Sequence, residues 1–85
     1  MTRIVKLYEQ LRSNQKRLTF AEFVRLVEAF GFRHHRTTGS HRIYVREGLP
    51  EHFNVQPKGK EAKPYQVRQF LFIVEKYQLT LEQDA

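Results

Sequence analysis

A histidine preceded by glycine and serine and flanked by arginines carries the clearest chemistry in this sequence. In Thr38-Gly39-Ser40-His41-Arg42-Ile43-Tyr44 the Gly-Ser pair sets a tight turn. His41 then enters what reads as a strand, with Arg36 and Arg42 on either side. An ordinary imidazole has a pKa of roughly 6.5, so it both accepts and donates a proton near neutral pH. No acid lies between Phe32 and Val45. A histidine among cations at a strand entrance suits proton transfer on a polyanion, and this points toward RNA. A plainer reading of the same residues is a half-buried structural histidine hydrogen-bonded to a loop.

Metal-free RNA cleavage needs a base for the 2′-OH proton, an acid for the leaving 5′-oxygen, and cations around the pentacoordinate phosphate. His41 is the candidate for proton transfer, with Gly39, Ser40 and Arg42 beside it. His34 and His35 are neighbours in a strand, so they point to opposite faces and cannot share one metal. Either could supply a second proton, and nothing in the spacing selects which. Their spacing to His41 and His52 matches no familiar ligand pattern, so neither a metal nor a cofactor is expected. Lys58, Lys60, Lys63 and Arg68 form a basic cluster holding one acid, Glu61. A loop that feeds a helix N-terminus also presents backbone N–H groups to phosphate oxygens. An ordinary solvated basic loop is the alternative. Tyr44, placed on the open strand face, is the candidate for stacking on a base. Phe20, Phe23, Phe30, Phe70 and Phe72 read as core at helical spacing.

The whole chain agrees with a polyanionic partner. Its 85 residues suffice for one domain with a single modest core. Lys+Arg of 15 against Asp+Glu of 9 gives a formal net charge of +6, and the sequence pI is about 10.0. That balance favours nucleic acid, an anionic membrane surface or an acidic protein. No apolar run approaches the roughly 20 residues that span a bilayer, and charges interrupt the N-terminus at once, so neither a membrane span nor a signal peptide is expected. The absence of cysteine excludes a disulfide framework and thiolate zinc sites. A cytoplasmic protein is expected.

The elements that must position His41 follow from periodicity. Ile4, Leu7, Tyr8 and Leu11 predict an amphipathic helix over residues 3–15, broken by the polar residues Ser13 to Arg17. Thr19-Phe20-Ala21-Glu22 is a capping-box signature opening a second helix over 20–30, with Phe20, Phe23, Val24, Val27 and Phe30 on one face and Gly31 ending it. Alternation then replaces helical spacing. Ile43 and Val45 are assigned to the core face with Phe53 and Val55. Arg42, Tyr44, Asn54 and Gln56 are assigned to the opposite, open face. Turns at 37–40 and 46–51 favour an antiparallel meander. A basic loop over 57–63 leads to Pro64, well placed to start a helix over 65–77 whose stripe is Val67, Phe70, Leu71, Val74 and Tyr77. The predicted fold is α+β: a three-stranded antiparallel sheet with helices on one face. The whole chain, 1–85, reads as one domain: an added N-terminal helix over 1–17, a core over 18–79 and a polar tail over 80–85.

Three pieces in order make residues 20–79 resemble the HicA family of bacterial toxins. They are Ala29-Phe30-Gly31-Phe32, Gly39-Ser40-His41 running into Ile43-Tyr44, and Gly59-Lys60-Glu61-Ala62-Lys63-Pro64. The resemblance implies a fold like the double-stranded-RNA-binding domain, with the helix before Leu18 an addition to it. It also implies an mRNA interferase, a metal-independent endoribonuclease with a catalytic histidine at His41, in a toxin–antitoxin system of the stress-response kind. The implied partners are mRNA and a HicB-type antitoxin. Compact members of the family often carry a second histidine directly after the first, where this chain has Arg42.

Three functions are therefore open at this level: a HicA-type ribonuclease toxin using His41, a non-catalytic RNA-binding domain using the same cations, and a protein-interaction module whose basic surface meets an acidic partner.

Overall fold

The second helix shows how local sequence sets the frame. The computed structural model describes residues 3–14 and 17–81, and α2 runs Phe20–Ala29. The Thr19 hydroxyl accepts the Glu22 N–H, and the Glu22 carboxylate accepts the Thr19 N–H, both at 3.0 Å. Two backbone donors that the helix cannot satisfy itself are thereby paired, and a cap of this kind contributes about 1 kcal/mol. Gly31 follows with φ 94°, a left-handed conformation that a side chain would strain. Phe23, Leu26, Val27 and Ala29 are buried, while Phe20 and Val24 are partly so.

The other elements, in chain order, are α1 (Arg3–Asn14), β1 (Arg33–Thr38), β2 (His41–Val45), β3 (Phe53–Val55), β4 (Pro57–Lys58), β5 (Glu61–Ala62) and α3 (Pro64–Tyr77). Strands β1, β2 and β3 form an antiparallel sheet in that spatial order, and β4 pairs with β5 in a separate two-stranded ribbon. The segment expected as a basic loop is thus a short hairpin turning at Gly59-Lys60. The α+β architecture expected from the resemblance is the one observed, and α1 adds to its core.

The face assignment of β2 needs correcting. Tyr44 is 1% exposed, whereas Ile43 and Val45 are half-buried. The register pairs Tyr44 with Phe53 and Arg42 with Val55, so those four residues share the helix-covered face, and Ile43 pairs with Asn54 on the open one. Strand side chains alternate with a period of two, so choosing the wrong parity exchanges every residue between faces.

Phe70 of α3 centres the core. Its ring lies 5.8 Å from Phe23, 5.5 Å from Phe30, 5.9 Å from Phe32 and 5.6 Å from Phe53. Such aromatic contacts each add about 0.5–1.5 kcal/mol beyond burial. Phe23, Val27, Val55, Phe70 and Val74 are buried together, as periodicity predicts. Phe72 is not a core residue: it is 65% exposed, and Ile73 is buried instead. Leu11 of α1 is buried, and Tyr8 meets Phe30 edge-on at 5.0 Å, so this helix joins the same core. The Ile4 side chain, the break at Gln15 and Lys16, and the tail over 82–85 lie outside the described residues. At the other end of α3, Tyr77 donates its hydroxyl to Glu51 at 2.6 Å and Lys76 donates at 3.2 Å, tying the β2–β3 loop to the helix. Among the described residues no helix is long and apolar enough to cross a membrane.

Candidate nucleic-acid interface

Strands β1 and β2 are joined by the two residues Gly39 and Ser40, closed by the pair Thr38–His41. Gly39 has φ 61° and adopts it without steric cost. His41 therefore stands first in β2, exposed, with the parity of Ile43 and Val45. Because those residues lie away from the helices, so does His41: it belongs to the open face of the sheet.

Hydrogen bonds tie this turn to the rest of the fold. The Gln56 side-chain amide donates to the Ser40 hydroxyl at 3.3 Å. The Gln56 backbone N–H donates in turn to Oε1 of Gln66 at 2.8 Å. Gln66 is 2% exposed, and it is the polar residue buried in the core among the described residues. The turn before His41 is thus linked through Gln56 to the first turns of α3. Gln66 was not among the residues singled out in the sequence. Its signal lay four residues before Phe70, in the apolar arc of α3, where a polar side chain needs a buried partner.

Arg42 goes to the other side of the sheet. Its guanidinium lies over the Phe20 ring, 5.1 Å from the centroid, a cation–π contact at the start of α2. The Phe20 N–H is held by the Lys60 carbonyl at 2.9 Å, and the Ala62 N–H donates to Leu18 at 3.0 Å. The lysine hairpin is in this way fastened to the same helix start that Arg42 covers. Lys58 and Lys60 are exposed and Lys63, the residue before α3, is partly so. Arg17 approaches Glu61 at 3.9 Å, a long and exposed pair. The start of β2, the end of β3, the hairpin and the N-termini of α2 and α3 all gather at one end of the molecule. That end carries Gly39, Ser40, His41, Arg42, Lys58, Lys60 and Lys63, and helix N-termini add partial positive charge to it.

Tyr44 does not join them. Its ring is packed in the core, 5.5 Å from that of His34, and offers no face to a base. His34 itself shares a hydrogen bond of 2.7 Å with the Thr37 hydroxyl. His35 is the extra residue of a bulge in β1, between the pairs His34–Tyr44 and Arg36–Ile43, and it turns instead toward His52. Among the described residues no three His, Cys, Asp or Glu side chains converge as metal ligands would.

No significant match to the chain was found among curated proteins or solved structures. The family described as HicA toxin of bacterial toxin-antitoxin matches residues 20–75, from the first residue of α2 into the last turn of α3. The matched stretch contains the turn before His41, the open sheet face and the lysine hairpin, and leaves out α1. With more than half of its length accounted for in this way, the chain belongs to the HicA family of bacterial toxins.

Proposed function

We propose that this toxin is an endoribonuclease that cleaves mRNA with His41 as its proton-transfer residue and is restrained by a HicB-type antitoxin. The observation that carries the reading is the placement of His41: exposed, at the head of β2, at the end of the molecule where the lysine hairpin and two helix N-termini collect. In cleavage, His41 takes the proton of a ribose 2′-OH. The 2′-oxygen attacks the adjacent phosphorus, the bond to the 5′-oxygen breaks, and that oxygen takes a proton from water as it leaves. The products are a 2′,3′-cyclic phosphate and a 5′-hydroxyl. Lysines of the hairpin hold flanking phosphates and balance charge on the pentacoordinate phosphate. A positioned histidine accounts for roughly 10²–10⁴-fold of rate.

The test is regulated expression of wild type beside His41→Ala, reading growth and transcript integrity together, followed by the purified proteins on RNA with and without chelator. His41→Ala is expected to lose cleavage and growth inhibition while keeping its fold and its affinity for the antitoxin. Cleavage at the wild-type rate by His41→Ala, or abolition of wild-type cleavage by chelator, would overturn the reading. RNA binding without cleavage by wild type would instead identify a non-catalytic RNA-binding domain.

A further inference from the structure

At the far end of the open face from His41, two more imidazoles meet. The rings of His35 and His52 lie 6.2 Å apart at an interplanar angle of 50°. They come from opposite flanks of the sheet, His35 from the bulge of β1 and His52 from the residue before β3, with β2 between them. Two exposed rings in that arrangement reach each other only by crossing the central strand on the side without helices. Continuing the pairing of Tyr44 with Phe53 by one step sets His52 opposite Val45. Val45 is half-buried although no helix covers it, which agrees with imidazoles lying across it.

The chemistry of this face is mainly cationic, with Glu47 lining a shallow depression beside Arg33 at its edge. Arg33 pairs with Val45 and Arg36 with Ile43, bringing two guanidinium groups to the same surface. Residues 33–45 and 52–56 contain no Asp or Glu. The nearby carboxylate of Glu51 is drawn away by Tyr77 and Lys76. The two imidazoles are tilted and not stacked on one another, so each keeps a π face for another ring. Bases stack on such faces with little regard to sequence, while guanidinium groups meet the backbone phosphates. A base pair inside a duplex presents no free face, so the matching ligand is a single strand. The four residue steps from His41 to Val45 span about 13 Å along β2, so one strand can touch both ends of the face.

We propose that His35 and His52 form a second nucleotide subsite on the open sheet face. It takes a base of single-stranded RNA, with Arg33 and Arg36 on the neighbouring phosphates, and guides that strand along β2 to His41. The role of the strand as substrate rests on the reading of His41 as the cleaving residue; the binding itself does not.

Binding is measured in the His41→Ala protein, so that no turnover intervenes, by fluorescence anisotropy of a labelled single-stranded oligoribonucleotide. Adding His35→Ala with His52→Ala is expected to weaken binding about tenfold, and His35→Tyr with His52→Tyr to hold it within about twofold, because a ring is retained. Arg33→Gln with Arg36→Gln is expected to weaken binding and flatten its dependence on salt. These side chains are exposed, and circular dichroism checks that each variant folds. Unchanged affinity in the folded double-alanine variant overturns the subsite, as does failure of the parent protein to bind single-stranded RNA, or an acidic polypeptide binding there in its place. Cleavage is read separately in the wild-type background. Absence of cleavage there overturns the role of His41 and leaves the binding result standing.

Discussion

The Gln66 carboxamide oxygen accepts the backbone N–H of Gln56 at 2.8 Å, and so a buried residue of α3 fixes the strand end beside the Gly39–Ser40 turn. Gln66→Leu would leave that N–H without its partner in a partly buried place. The expected cost is about 1–3 kcal/mol, the usual penalty for stranding such a group. Urea denaturation measures the loss. Cleavage assayed well below the unfolding midpoint then reports on the turn: activity lower than the folded fraction explains means that the bond also positions His41. Full stability in the variant would show that water replaces the amide at no cost.

Tyr44 and Phe53 face each other beneath the helices, so Tyr44→Ala is a core truncation and not a loss of RNA contact. Removing a large buried aromatic side chain destabilises by about 3–5 kcal/mol. The affinity of the remaining folded protein for RNA should stay close to wild type. A variant of undiminished stability and weakened RNA binding would return Tyr44 to the interface.

The reason for the parity error is visible in β2 itself. Ile43, Tyr44 and Val45 are three successive apolar residues, so the strand carries no alternation to say which side is inside. The choice is made by the partner strand and by the helices, which accept a tyrosine ring where the sequence suggests an aliphatic pair. By contrast α2 and α3 were legible because their signals are local: the Thr19–Glu22 cap, Pro64 and the apolar stripe ending at Tyr77. Phe72 stands outside that stripe by its own spacing, and its aromatic character alone misplaces it. The Gly39-Ser40-His41 turn was legible for the same local reason. Nothing in the sequence brings His35 to His52 or Gln56 to Gln66, because those contacts depend on a bulge and on the return of α3 over the sheet.

The lysine hairpin makes a quantitative expectation possible. Lys58, Lys60 and Lys63 replaced together by Gln should weaken RNA binding and flatten the slope of log affinity against log salt. Each phosphate contact to a single strand contributes about 0.7 to that slope, so three lost contacts remove about 2. Anisotropy titrations over a series of salt concentrations measure it. An unchanged slope would place the RNA away from the hairpin and leave the open face of the sheet to carry the phosphates.

The link between Glu51 and the end of α3 predicts how stability depends on pH. The Tyr77 hydroxyl, with help from Lys76, holds the Glu51 carboxyl below its ordinary value of 4.5. The same carboxylate raises Tyr77 above 10.0 and Lys76 above 10.5. A lowered acid stabilises the fold at pH above 4.5, and that contribution is lost as pH falls through the lowered value. The raised groups stabilise below their ordinary values, and their contribution is lost as pH rises through the raised ones. The link should therefore hold across the neutral range and fail at both extremes. Glu51→Gln removes the charge on which both limits depend. The difference in Tm between wild type and Glu51→Gln should be flat through neutral pH and shrink toward acid and toward alkali. Equal Tm values for the two proteins at neutral pH would mean that the loop is held to α3 by packing of Tyr77, with no contribution from the carboxylate.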